Sequence, residues 1–296
     1  MLKQRIITAL VLAPLTLACV FFLGAEAFAL FCAVVILIGA WEWGPLMGLN
    51  ATISRLAFMA VNAAIIGFLA FTVPVETMWL NDHQLLSESA LKLQPIYQNI
   101  LLAAGVWWLL STALVYSYPN SAAAWRDNLV VKGLMGLLTL IPAWIAFVAI
   151  RTLDINNHFY FGATLLFASL AIVWAADVGA YFFGKRFGKR KLMPQVSPNK
   201  TLEGFLGGLF AVAVLVLVLN LSFSIELNHY LPYLMVAIIT AIVSAVGDLN
   251  ESMLKRAAGI KDSGSILPGH GGLLDRIDSL VAAAPVFILL YMFVLR

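Results

Sequence analysis

LVVKGLMGLLTLIPAWIAFVAI, residues 129–150, holds one charged side chain, Lys132, in an otherwise apolar run. About 20 predominantly apolar residues suffice for a helix to cross the hydrocarbon of a bilayer. Pro142, inside the run, would damage a helix in water. In a membrane, neighbouring helices re-satisfy the backbone groups that it frees. Working outward, the same pattern recurs in nine candidate spans, at 6–24, 26–44, 56–80, 98–118, 129–150, 159–184, 203–224, 230–248 and 273–295.

Composition agrees with this reading. Of the 296 residues, 62% are hydrophobic and 11% charged, against about 45–50% and about 25% in soluble domains. So few polar side chains cannot cover a 32.2 kDa globule in water. A soluble enzyme, a disordered chain and a nucleic-acid binder are excluded. The expected fold is all-α: a polytopic integral membrane protein of about nine transmembrane helices, with no soluble domain. Residues 1–296 form one transmembrane domain. Helices within 1–150 are expected to serve as a lipid-facing scaffold, and 159–296 to hold the helices and loops that carry function.

Basic residues concentrate on the cytoplasmic side of membrane proteins. With the N-terminus inside, all but Lys92, Arg151 and Arg296 of the 18 Lys and Arg residues fall on that side. Nine spans then place the C-terminus outside. The first span follows Lys3 and Arg5 and is read as a retained helix, not a cleaved signal. Cys19 and Cys32 lie in apolar runs and read as packing residues without a disulfide. His83, His158 and His229 share no spacing and read as interfacial. Trp41, Glu42 and Trp43 read as an interfacial belt with a snorkelling acid and no chemistry. Gly204 and Gly208 read as a helix-packing pair. The Lys185–Lys191 run reads as a topology signal, with attraction of anionic lipid head groups as its other use.

Ionisable groups beside membrane spans are costly and mark functional sites. Here they gather in the C-terminal half: Asp177, Glu203, Asp248, Glu251, Asp262, Asp275 and Asp278, among Lys200, Lys255, Arg256, Lys261 and Arg276. If the eighth helix continues through 248–255, Asp248, Glu251, Ser252 and Lys255 share one face. Gly264, Pro268, Gly269, Gly271 and Gly272 then break the helix into a loop. Asp275 and Asp278 follow on one face of the next helix. Two acidic faces bridged by a basic, glycine-rich loop suit a divalent cation with phosphates. Mg²⁺ commonly binds through one or two carboxylates and the substrate's own phosphates. Arginine and lysine would hold the remaining phosphate charge.

The string Ser252-x-Leu-Lys255-Arg256-x4-Lys261-Asp262, followed by Pro-Gly-His270-Gly-Gly-x-x-Asp275-Arg276-x-Asp278, resembles the signature of the phosphatidate cytidylyltransferase family. Ser197-Pro-Asn-Lys200-Thr201-Leu-Glu203-Gly204 and Asp177-x-Gly-Ala-Tyr181-x-x-Gly184-x3-Gly188-Lys189 are similar to further blocks of it. The likeness extends weakly to Met-Leu-Lys-x-Arg at the start and to Ala40-Trp-Glu-Trp-Gly44. It implies a bacterial inner-membrane enzyme with its site on the cytoplasmic side, joining CTP to phosphatidic acid to give CDP-diacylglycerol and pyrophosphate. It also implies Mg²⁺ held by Asp248 and Asp275, room for a second cation, and a homodimer in membrane lipid. Substrate-binding roles are expected for Asp177, Ser197, Lys200, Thr201 and Ser252. Asp177 is read as buried in its helix, either orienting the site or acting as a ligand. Catalytic roles are expected for Lys255, Arg256, Lys261, Asp262, His270, Arg276 and Asp278. His270 is expected to donate a hydrogen bond to a CTP phosphate.

Phosphatidate is itself the attacking oxyanion, so catalysis reduces to alignment and charge neutralisation. A CTP-dependent kinase of polyprenol or another lipid alcohol is the competing enzyme, and it would require a general base. A transporter using Asp177, Asp248 and Asp275 is a weaker alternative, because the charged segments lie in one half without internal symmetry.

Overall fold

The computed structural model describes residues 2–81, 91–223, 227–267, 269 and 271–295. In chain order it forms α1 (Leu2–Phe22), α2 (Ala25–Met47), α3 (Thr52–Thr72), the antiparallel pair β1 (Trp79–Asn81) and β2 (Leu91–Leu93), and α4 (Pro95–Tyr116). The short α5 (Ala122–Trp125), α6 (Leu129–Thr152) and α7 (Phe161–Phe187) follow. A hairpin of β3 (Lys191–Met193) and β4 (Ser197–Thr201) leads into α8 (Leu202–Phe223), α9 (Leu227–Ala258) and α10 (Leu274–Leu290). His83 and His270 lie outside the described residues.

Among the described residues, eight helices are long and apolar enough to cross a membrane: α2, α3, α4, α6, α7, α8, α9 and α10. The first expected span forms α1, whose described apolar part is Leu10–Phe22. The chain is a multi-pass membrane protein. Two short hairpins and α5 were not foreseen in the sequence. The third span ends at Thr72 and not near residue 80, because Pro74 lacks the N–H a helix needs and holds Val73 in extended backbone.

Helix α6 is the centre of the bundle. Protein buries 78% of its apolar stretch, against 28% for the still more apolar α8. A helix apolar all round belongs either in a core or against lipid, and here the two cases occur in one chain. Tryptophan N–H groups fasten neighbours to α6: Trp144 to Ala29 O at 3.0 Å, Trp107 to Thr139 Oγ1 at 3.1 Å, and Trp43 to Lys132 O at 3.0 Å. Buried indoles normally find such partners. Cys19 and Cys32 are free thiols, and Cys32 is buried.

Arg151, assigned by sequence to the outer-face charges, is fully buried. It donates to Val20 O at 2.6 Å, Leu23 O at 2.9 Å and Phe159 O at 3.3 Å. The last carbonyls of a helix have no partner within it, so Arg151 caps the end of α1 and ties it to α6. His158, by contrast, sits on an exposed turn beside Asp154 at 2.9 Å.

Glycines set the spacing around the site. A Cβ on Gly208 would lie 2.7 Å from Ala176 O, and one on Gly204 would lie 2.8 Å from Ala180 O, so α7 and α8 pack backbone to backbone. This is the packing role read from Gly204 and Gly208. A Cβ on Gly247 would likewise overlap Asp278 O and Ala282, drawing α9 onto α10.

Candidate active site

The approach to the site begins at the β3–β4 hairpin. Glu203, in the first turn of α8, accepts from Lys189 N at 3.0 Å and from Arg190 N and Nε at 3.1 Å each. Thr201 caps α8, its hydroxyl accepting from Gly204 N at 3.1 Å. Gly188 makes room for it, since a Cβ there would come within 2.8 Å of that hydroxyl. These contacts fix β4, the strand that carries Lys200.

Lys200 Nζ meets Asp248 Oδ2 at 2.6 Å, both side chains about one-third exposed. Ser252 donates to Asp248 Oδ1 at 3.3 Å. The pair forms the polar end of a cavity of about 430 Å³ between α7, α8 and α9. Small residues, Ala176, Ala180, Gly204, Gly208, Ala241 and Ala245, make up much of its wall. Asp177, expected to be buried in its helix, opens into this cavity, where its charge interacts with Asp248 and Lys200. Lys185 lines the same cavity, 5.8 Å from the Tyr181 ring.

A second cluster joins α9 to α10. Lys255 Nζ lies 2.8 Å from Glu251 Oε2 and 2.7 Å from Asp275 Oδ1. Asp275 Oδ2 accepts from Ser263 N at 3.0 Å and Gly272 N at 2.8 Å, so both flanks of the glycine-rich loop fold over it. Leu267 N donates to Gly271 O at 3.0 Å and closes the loop. Asp278 links the clusters, interacting electrostatically with both Asp248 and Glu251.

Similarity to known proteins runs the length of this arrangement. The sequence profile of the cytidylyltransferase family matches residues 3–294. The chain belongs to the cytidylyltransferase family. A phosphatidate cytidylyltransferase of Pseudomonas aeruginosa is 47% identical over 287 residues, covering 97% of this chain and 96% of that one. Another, of Haemophilus influenzae, is 38% identical over 298 residues and covers both chains completely.

Within this cytidylyltransferase the expected site residues separate by position. Asp177, Lys200, Thr201, Asp248 and Ser252 surround or border the cavity, and Lys255, Asp275 and Asp278 join the second cluster. Arg256 donates to Val196 O at 3.3 Å, fixing the hairpin against α9, and Ser197 begins β4 beside it. Lys261, Asp262 and Arg276 are exposed on the loop and the first turn of α10. Glu251 was noted in the sequence for its helix face but given no role, and it proves to be a buried partner of Lys255.

Glu42 and Trp43 are corrections. Both are fully buried, not interfacial, and Glu42 Oε2 accepts from Leu274 N at 2.7 Å. Its sequence signal was an acid inside an apolar span, which by itself marks a functional position.

Among the described residues, no three acidic, histidine or cysteine side chains form a ready cage for a metal ion. The donor set nonetheless fits a hard cation that keeps water and substrate ligands. Asp177, Asp248, Asp278, Glu251 and Asp275 outnumber Lys185, Lys200 and Lys255 by two formal charges. Glu251 Oε1 is also a buried carboxylate oxygen without a partner.

Proposed function

We propose that this chain transfers the cytidylyl group of CTP to phosphatidic acid, giving CDP-diacylglycerol and pyrophosphate in an early step of phospholipid biosynthesis. The carrying observation is the cavity between α7, α8 and α9, apolar along its walls and charged at Lys200, Asp177 and Asp248. That polarity suits an amphiphile with a phosphate head. The names of the two relatives support the same substrate.

In this reading Lys200 and Lys185 hold the lipid phosphate at the cavity's polar end. The exposed Arg256, Lys261 and Arg276 receive the triphosphate of CTP, with His270 as a hydrogen-bond donor. A phosphatidate oxygen bonds to the α-phosphorus as the bond to the departing pyrophosphate breaks. No protein nucleophile or base is required, because the lipid phosphate is already anionic. Asp248 and Asp275 would hold Mg²⁺, with Glu251 and Asp278 beside them and capacity for a second cation. When bound, the ion supplies charge neutralisation on the phosphate oxygens. Lys255 keeps Asp275 aligned. A homodimer in a bacterial inner membrane, with the N-terminus and the site facing the cytoplasm, completes the proposal.

Purified protein in detergent, given CTP, Mg²⁺ and phosphatidate, should yield a CDP-lipid and pyrophosphate. CDP with a newly phosphorylated lipid alcohol would instead identify a kinase.

A further inference from the structure

We infer that Glu42, on α2 in the half of the chain remote from the catalytic loops, is a positioning residue that fixes the glycine-rich loop and the start of α10 for turnover. Its carboxylate is fully buried and reaches across 232 positions of sequence to accept from Leu274 N at 2.7 Å. Leu274 immediately precedes Asp275, so this hydrogen bond sets where α10 presents that carboxylate.

The two flanks of the loop also rest on Glu42. A Cβ on Gly264 would overlap Glu42 Oε1, and one on Gly272 would lie 2.6 Å from Glu42 Oε2. Any larger residue at either position would displace the carboxylate. The Ser263 hydroxyl, buried and otherwise unpartnered, lies against the same group. From the other side, Asp275 Oδ2 holds Ser263 N and Gly272 N. The loop is thereby clamped between two carboxylates, one from α2 and one from α10.

A buried acid is costly unless its oxygens serve as acceptors. A scaffold needing only volume would be served by leucine. The acceptor Oε2 is the property used, and glutamine should reproduce it with its carbonyl on Leu274 N, its amide taking the place of the buried, unpartnered Oε1 against the Ser263 hydroxyl. Aspartate keeps the charge but withdraws the oxygens by one methylene.

That the loop matters for turnover rests on the proposed cytidylyl transfer, whereas the clamp itself can be read without it. Hydrogen exchange of the detergent-solubilised protein reports on the amides of 262–274, and α6 serves as the folding control. In Glu42→Ala, exchange in 262–274 should accelerate at least tenfold with α6 unchanged, and kcat should fall at least tenfold with a smaller change in KM for CTP. Glu42→Gln should stay within about threefold of wild type in both readouts. Glu42→Asp should resemble alanine, and carries the test if Glu42→Ala fails to accumulate. Unchanged loop exchange in both impaired variants, equal impairment by glutamine, or acceleration throughout α6 would each overturn the inference. A freed loop with undiminished turnover would also overturn it, by removing the loop from the site. Failure of wild-type protein to form a CDP-lipid would fault the proposed reaction and leave the exchange comparison intact.

Discussion

One ammonium joins two helices: Lys255 Nζ stands 2.8 Å from Glu251 Oε2 on α9 and 2.7 Å from Asp275 Oδ1 on α10. All three side chains are nearly excluded from solvent, at 11%, 4% and 8% exposure. Removing one member of a buried ion pair typically costs about 3–5 kcal/mol, because the partner charge is left uncompensated. Lys255→Ala should therefore lower thermal stability in detergent and reduce turnover at least a hundredfold. Adding Glu251→Gln removes one orphaned charge and should recover part of the stability but not the activity. A double variant no more stable than Lys255→Ala would contradict the shared pairing.

The Lys200–Asp248 pair is of another kind. Its side chains are about one-third exposed, and such pairs contribute at most about 1 kcal/mol. Lys200→Met should leave the melting temperature almost unchanged while kcat/KM for phosphatidate falls at least tenfold. A large loss of stability with normal turnover in the surviving protein would assign the pair to the scaffold.

Asp248→Asn and Asp275→Asn should each nearly abolish turnover while the protein still inserts. A neutral amide is a poorer donor to a hard cation than a carboxylate. Raising Mg²⁺ should restore part of the rate. Substantial activity at ordinary Mg²⁺ in either variant would remove that residue from the metal assignment.

Ala245 lines the apolar part of the cavity. Ala245→Phe should fill space proposed for the lipid, raising KM for phosphatidate several-fold and sparing KM for CTP. Equal effects on both substrates would place the lipid elsewhere.

A reporter fused after Arg296 tests orientation. With nine spans and a cytoplasmic N-terminus, a periplasmic-type reporter should be active there. Activity of a cytoplasmic-only reporter would change the number of spans by one.

The residue string of Asp248 to Asp278 made the chemical class legible, because hard anions and cations beside lipid have few structural uses. Apolar run length likewise located the helices, since hydrocarbon thickness imposes a minimum length that composition alone reveals. Periodicity carried Asp248, Glu251, Ser252 and Lys255 onto one helix face, and the structure keeps α9 helical through Ala258. Run length misplaced the end of α3, where Pro74 outweighed the apolar residues beyond it.

What a sequence of apolar residues does not encode is which neighbour each face meets. Protein interior and lipid are equally apolar, so α6 and α8 read alike although one is the core and the other faces outward. For the same reason Glu42 read as an interfacial acid and Arg151 as an outer-face charge. Tertiary packing alone brought Glu42 to the amide of Leu274 and Arg151 to the carbonyls that end α1. Local sequence could propose which residues have chemistry to offer. Only the three-dimensional closure of α2 onto α10 decided that the first half of the chain reaches the second half's loop, because a buried polar atom's partner is chosen by distance in space.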